Sequence, residues 1–251
     1  MSKILCLIPA RSGSKGLPDK NIKTMVDKPL LAWSIEQARQ SKYFNAQQMR
    51  VIVSTDSEKY RDIALKYQAE VPFLRPESIS QDNSTDFMFI NHALDWLKDN
   101  ENYIPDYILQ LRPTQPCRPD GLIDECLDTF IDSEYDSLRT VIPNEKSPYK
   151  MYTKNGEQLV PLFEEVNGLS EPFNIGRQYL PKTYLHNGYV DILKSEIIKQ
   201  NKLSGKILAY EMEKTDNIDI DTEQDWIEAE RILYTKNYLE QNTFPVKYNN
   251  I

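Results

Sequence analysis

What most constrains this chain is an alternation of short apolar runs with amphipathic helical stretches along its first half. Residues 4–8 read as a central strand covered on both faces, and 29–41 as a helix with Pro29 in its first turn and Leu31, Ile35 and Ala38 at helical spacing. Residues 50–55 and 58–67 repeat the pair. Strand, helix, strand, helix in that order dictates parallel pairing with right-handed crossovers and puts ligands at the C-terminal strand ends. The loops at Arg11 and Asp56 should then open on one edge. A helix at 85–98, a strand at 107–111, a proline-stiffened loop RPTQPCRP, a helix at 121–131 and strands at 137–142, 189–193 and 207–211 follow, with an amphipathic closing helix at 222–238. The expected class is α/β with a mostly parallel sheet.

The first strand runs into LIPARSGSKGLPDKNI, which holds Arg11, Ser12, Gly13, Ser14, Lys15, Gly16, Lys20 and Asn21. Its glycines let backbone N–H groups converge on an anion, while Arg11, Lys15 and Lys20 supply countercharge. The spacing lacks the GxxxxGK[ST] of P-loop enzymes and the third glycine of the dinucleotide fingerprint. It reads as a nucleotide phosphate cradle of another kind, against the plainer alternative of a strand-to-helix turn with solvated lysines.

The 251 residues carry a formal charge of −8, which argues against nucleic-acid binding and suits a small anionic ligand held in a local basic pocket. Cys6, Cys117 and Cys126 have no CxxC spacing and read as reduced thiols, with Cys6 and Cys126 in apolar patterns as small core residues. No stretch resembles a signal peptide or a membrane span, so a soluble cytoplasmic protein with no membrane partner is expected. From 143 to 181 the pattern loosens into short apolar groups separated by Asn, Gly and Pro, as in an inserted arm that makes an oligomer contact or covers a substrate.

In TDNIDIDTEQDW an extended backbone aims Asp219 and Asp221 to one side and Ile218 and Ile220 to the other. Paired carboxylates repel unless a cation joins them, which makes a Mg²⁺ site natural. Asp221 also reads as a helix N-cap with Gln224 three residues on. Arg75, beside Ser80, Asp82, Ser84, Thr85 and Asp86, suits a base or phosphate ligand and equally a structural ion pair. Arg112, Thr114, Gln115 and Arg118 leave the C-terminal end of a strand, as ligand groups do, or else cap the proline loop. Arg177 and Gln178 suit a carboxylate clamp. His186, before Asn187 and Gly188, marks a turn ahead of a strand, and His92 is structural.

With LIPARSGSKGLPDKNI, VSTDS, FLRPESISQD, LQLRPTQPCRP, HNGYVDI and NIDIDTEQDW in this order, the chain resembles the acylneuraminate cytidylyltransferases, also called CMP-sialic acid synthetases. The resemblance implies a Rossmann-like three-layer nucleotidyltransferase fold over residues 1–251 with 143–181 as a dimerisation or lid element. It also implies a homodimer, and CMP transfer from CTP to the anomeric hydroxyl of an acidic sugar with Mg²⁺. Carried over by position, Arg11, Ser14, Lys15, Lys20 and Asn21 hold the triphosphate, with Arg75 and Ser84 near the cytidine. Asp219 and Asp221 hold the metal. Arg177 matches the family's active-site arginine close to the sugar; from the chain's own pattern Asp86, Arg112, Thr114, Gln115 and Gln178 join it on the sugar side, and Arg11, Lys20, Arg177 and Asp221 are the catalytic set. CMP-Kdo synthetases and a non-catalytic nucleotide-binding regulator are the rival readings.

Two departures bear on the sugar. The family commonly reads LQPTSPLR where this chain has LRPTQPCR, so Arg112 stands for a glutamine and Gln115 for a serine. Leu185 and His186 stand where an arginine is common. A changed polar group in a pocket alters substrate choice strongly. A nine-carbon acid of the legionaminic or pseudaminic type is as plausible as N-acetylneuraminic acid, and the legionaminic type is slightly favoured.

Overall fold

A computed structural model describes residues 2–13, 16–213 and 218–242, with 237–242 described by backbone alone. In chain order the strands are β1 (Ile4–Pro9), β2 (Thr24–Met25), β3 (Lys28–Pro29), β4 (Met49–Ser54), β5 (Tyr107–Gln110), β6 (Ser137–Pro143), β7 (Tyr152–Asn155), β8 (Gln158–Pro161), β9 (Glu165–Val166), β10 (Leu169–Ser170), β11 (Tyr184–Lys194) and β12 (Ile207–Glu211). The helices are α1 (Leu30–Gln40), α2 (Lys42–Asn45), α3 (Glu58–Lys66), α4 (Asp86–Glu101), α5 (Leu122–Phe130), α6 (Ser195–Ile198) and α7 (Glu223–Asn242).

Six strands form the central sheet in the order β12-β6-β11-β5-β1-β4. β1 pairs in parallel with β4 and β5, and β12 with β6, whereas β11 lies antiparallel between β5 and β6. The sheet is therefore mostly parallel with one reversed strand. β1 explains the layering. Its pleat sends Ile4, Cys6 and Ile8 to one face, among residues of α1, α3 and α5, and Leu5 and Leu7 to the other, among residues of α4 and α6. All five are fully buried, as a doubly covered strand requires. The architecture is the expected three-layer α/β.

A third cluster joins Met25, Leu30, Trp33, Cys117 and Ile220 to Trp226, Ala229 and Leu233 of α7. It anchors the closing helix and the segment just before it. All three cysteines are free and buried. Among the described residues, no helix is long and apolar enough to cross a membrane.

One departure from the sequence reading stands out. The Asn187-Gly188 pair does not turn the chain ahead of a strand; it lies inside β11, which begins at Tyr184, and the pairing with β6 shifts register between His186 and Asp191. Gly188 has φ 69°, so the flexible pair makes a bulge that re-aims neighbouring side chains. Residues 143–181 carry the hairpins β7–β8 and β9–β10. Tyr149 packs on Phe163 and Tyr152 on Phe173, at ring-centroid separations of 5.2 and 5.7 Å, yet Tyr152, Leu159, Leu162 and Phe163 remain exposed.

Candidate active site

At the C-terminal ends of β1 and β5 lies a cleft of about 390 Å³. Its walls include Arg11, Gly16, Lys20, Asn21, Arg75, Ser84, Asp86, Arg112, Thr114 and Asp221. Residues from all four sequence-derived sets thus share one cavity.

The cradle is fixed from several directions. Ser12 donates to Asp56 through its backbone N–H and its hydroxyl, both at 2.8 Å, which ties the loop after β1 to the loop after β4. Arg11 pairs with Asp82 at 2.9 Å, and the Asn21 amide donates to the Arg11 carbonyl at 3.1 Å. Lys20 is only 9% exposed. Its ammonium donates to the Ile220 carbonyl and lies 3.2 Å from Asp221 Oδ1, so the cradle lysine is clamped to the carboxylate segment. Gly16 shows the same proximity: a Cβ there would stand 2.6 Å from the Asp221 carbonyl oxygen. Glycine is required here for close backbone approach. Ser14 and Lys15 lie outside the described residues.

Arg75 is held by hydrogen bonds and a ring face, not by the ion pair that was one of its two readings. It is buried, donates through Nε and Nη2 to Ser54 at 3.1 and 2.6 Å, and stacks on Phe89 at 4.9 Å from the ring centroid. Its guanidinium also faces the cleft. Burial pushes its pKa down to about 10, so it stays cationic at neutral pH. Ser84 holds its turn by accepting from the Gln81 N–H at 3.0 Å.

The carboxylate pair differs in environment. Asp221 has a side chain 77% exposed, within reach of Lys20. Asp219 is held above the usual carboxylate range, first by partial desolvation and then by the charge of Asp221, with Thr114, Lys20 and Arg112 acting the other way. The N-terminus of α7 does not use Asp221 as its cap. Thr222 Oγ1 accepts from the Asp225 N–H at 3.2 Å, and Asp225 Oδ2 accepts from the Thr222 N–H at 2.8 Å, a reciprocal capping box. Asp221 is thereby left facing the cleft. Among the described residues no three His, Cys, Asp or Glu side chains converge. A cation on Asp219 and Asp221 would complete its shell with water and substrate oxygens, as Mg²⁺ prefers, and would relieve the repulsion that raises Asp219. The donor set fits that ion.

On the β5 side, Asp86 Oδ2 accepts from Gln110 at 2.9 Å and from Arg112 at 2.8 Å. Other members of the sugar-side set lie elsewhere. Gln115 is 1% exposed and Arg118 equally buried; Arg118 binds the carbonyls of Tyr189 and Arg112 and the Ser34 hydroxyl, so it braces the proline loop. Gln115, expected on the sugar side, points into protein instead of the cleft. Arg177 and Gln178 sit exposed on the arm, outside this cavity, with Arg177 donating to the Glu145 carbonyl at 3.0 Å. The residue missed from sequence is Asp191, fully buried against Arg112 and His186. Its signal was a carboxylate inside the apolar run 189–193.

That carboxylate gives a pH expectation. Burial alone would raise the Asp191 pKa, but His186, Arg112 and Arg139 hold it well below the ordinary range. A depressed folded value stabilises the protein above the unfolded pKa of about 4 and loses that stabilisation as pH falls below it. Melting temperature should therefore drop as pH falls from 5 towards 3, and Asp191→Asn should flatten this part of the profile in a calorimetric series. An unchanged slope would remove Asp191 as its source.

A mostly parallel sheet thus carries, at its strand ends, one cleft in which a cationic cradle meets Asp221, the place where α/β sheets bind ligands. The cytidylyltransferase family model matches residues 5–250. The chain is 33% identical to an N-acylneuraminate cytidylyltransferase of Escherichia coli, over all of this chain but 57% of that protein. It is 30% identical to a pseudaminic acid cytidylyltransferase of Campylobacter jejuni, over 94% of this chain and 98% of the other. In fold it is similar to a CMP:2-keto-3-deoxy-manno-octonic acid synthetase solved with CTP, at TM-score 0.67 and 16% identity, covering 94% of this chain and all of that one. The chain belongs to the cytidylyltransferase family.

Proposed function

We propose that the protein transfers CMP from CTP to the anomeric hydroxyl of a nine-carbon acidic sugar of the sialic, pseudaminic or legionaminic type, releasing pyrophosphate. The observation that carries this reading is the clamp of Lys20 on Ile220 and Asp221, which makes the phosphate cradle and the carboxylate pair one site. Two relatives are named for transfer to acids of this class, one of them matched along almost its whole length.

In such a reaction the hydroxyl attacks the α-phosphate in line and charge builds on phosphate oxygens and on the departing pyrophosphate. Arg11, Lys20 and Arg75 offset that charge in a cleft where little rearrangement is needed, the condition under which electrostatic stabilisation is strongest. Asp219 and Asp221 are the groups that would hold Mg²⁺, which when bound supplies further charge neutralisation at the phosphates. The carboxylate pair also offers an acceptor for the hydroxyl proton. Arg112 supplies a cation for the acceptor's carboxylate.

We further infer a homodimer that uses residues 143–181 as its contact, a reading supported by the exposed apolar side chains of the arm. Sedimentation velocity should give two chains per particle, and Leu162→Asp with Phe163→Asp should give one. A wild-type monomer would remove the dimer. Buried free thiols and use of CTP are consistent with the cytoplasm.

The deciding assay is pyrophosphate release from CTP in the presence and absence of Mg²⁺, with N-acetylneuraminic, legionaminic and pseudaminic acids and Kdo as acceptors and ATP, GTP and UTP as controls. Release specific to CTP and one nine-carbon acid is expected, with loss on chelation. Use of Kdo alone would replace the acceptor class. No turnover by folded protein that binds CTP would overturn the enzymatic reading.

A further inference from the structure

Asp191 occupies a position where an apolar side chain would match its neighbours Val190 and Ile192, and it is fully buried. The antiparallel register of β11 sets it opposite Gln110 on one side and Arg139 on the other. Arg139 Nη1 lies 2.7 Å from its Oδ2, His186 Nε2 lies 2.7 Å from its Oδ1, and Arg112 Nη1 donates to Oδ2 as well. The other terminal nitrogen of Arg112 reaches Asp86 at 2.8 Å. The guanidinium is thus held at both ends, from within the sheet by Asp191 and at the cleft wall by Asp86.

The bulge in β11 makes room for this. A Cβ at Gly188 would come within 3.2 Å of Arg112 Nη1. Arginine has five N–H donors; these two carboxylates engage one on each terminal nitrogen, and the rest suffice for a ligand carboxylate. Stability alone accounts poorly for the arrangement, because well-packed apolar groups often replace a buried ion cluster at no loss. An apolar residue at 191 could not aim a guanidinium.

We propose that Asp191 is a positioning residue: by holding Arg112 at the cleft wall it sets affinity for the carboxylate of the acidic acceptor. This rests on the transfer reaction proposed above and on Arg112 acting at the acceptor side. With Asp191 neutral, Asp86 becomes the remaining carboxylate partner of Arg112 and draws it away from its place.

The test is a cycle of Asp191→Asn, Arg112→Gln and the double variant, reading KM separately for CTP and for the acid that the wild type uses. D191N is expected to raise the acceptor KM by about 10-fold or more and leave the KM for CTP within about 2-fold, and the double variant should be no worse than R112Q. An unchanged acceptor KM in D191N, or single effects that multiply in the double, would overturn the proposal. Should D191N not fold, Gly188→Ala keeps every charge and crowds Arg112, and the same split is expected of it; equal KM values to wild type would count against the idea. The ¹⁵N–¹H signal of Arg112 Nε, assigned by its loss in R112Q, needs no turnover. It should be sharp in wild type and shifted or broadened in D191N. A wild type that uses none of the acids would sink the reaction reading while this signal still judges the positioning; turnover with an Nε signal and acceptor KM both untouched in D191N would sink the positioning alone.

Discussion

Asp219→Asn and Asp221→Asn are each expected to cut Mg²⁺-dependent pyrophosphate release by about 10²-fold or more, the scale on which a group that organises transition-state charge acts. Thermal stability without metal should move differently in the two. The folded pKa of Asp219 is raised by desolvation and by Asp221, so its ionised form is penalised relative to the unfolded chain. At neutral pH the Asn variant removes that penalty, and its melting temperature should match or exceed that of wild type. Asp221 is largely exposed and lies 3.2 Å from Lys20, so losing its charge should cost little, as exposed pairs do. Loss of turnover with intact folding would therefore separate a chemical role from a structural one. The measurement is initial rate against Mg²⁺ concentration alongside a melt in chelator; full activity in both variants would remove the metal assignment.

The parts of this site legible in the sequence are those whose evidence is local. Arg11, Lys20 and Asn21 sit within eleven residues after a strand, and the Asp219/Asp221 spacing speaks for itself once the backbone is extended. The alternation of runs and helices likewise gave the three layers, because each helix covers the strand that precedes it in a crossover. What was illegible depends on register between distant segments. Asp191 meets Arg112 only because β11 runs antiparallel beside β5, and nothing near residue 191 states that direction. Asn187-Gly188 is the same chemistry in a turn and in a bulge; only the continuing pairing of Tyr184, Leu185 and His186 with β6 decides between them. Asp221 looked like a cap because the true cap, Thr222 with Asp225, is one residue away and equally competent. Gln115 looked like a ligand group by its place in a motif, but a proline-braced loop turns it inward.

Gly16→Ala is expected to be nearly as damaging as loss of a charged group, although it removes none. The added Cβ would stand 2.6 Å from the Asp221 carbonyl oxygen, a separation that requires one backbone to move. Neither side yields cheaply. The segment before α7 is held by Ile220, fully buried in the third cluster, and by its N–H bond to the Thr114 carbonyl at 3.0 Å. The cradle is held by Lys20 on Ile220 and Asp221 and by Asn21 on Arg11. Relief of the clash therefore parts the loop after β1 from the Asp219/Asp221 segment. A misplacement of about 1 Å between reacting groups costs on the order of 10²-fold in rate. The fall should appear chiefly in kcat, with the KM for the acidic sugar changed less, because Arg112 is anchored independently by Asp191 and Asp86. Steady-state kinetics with both substrates varied would check this. A kcat within about 2-fold of wild type, well short of that 10² scale, would mean that the two halves of the site tolerate separation and that their contact through Gly16 is packing alone.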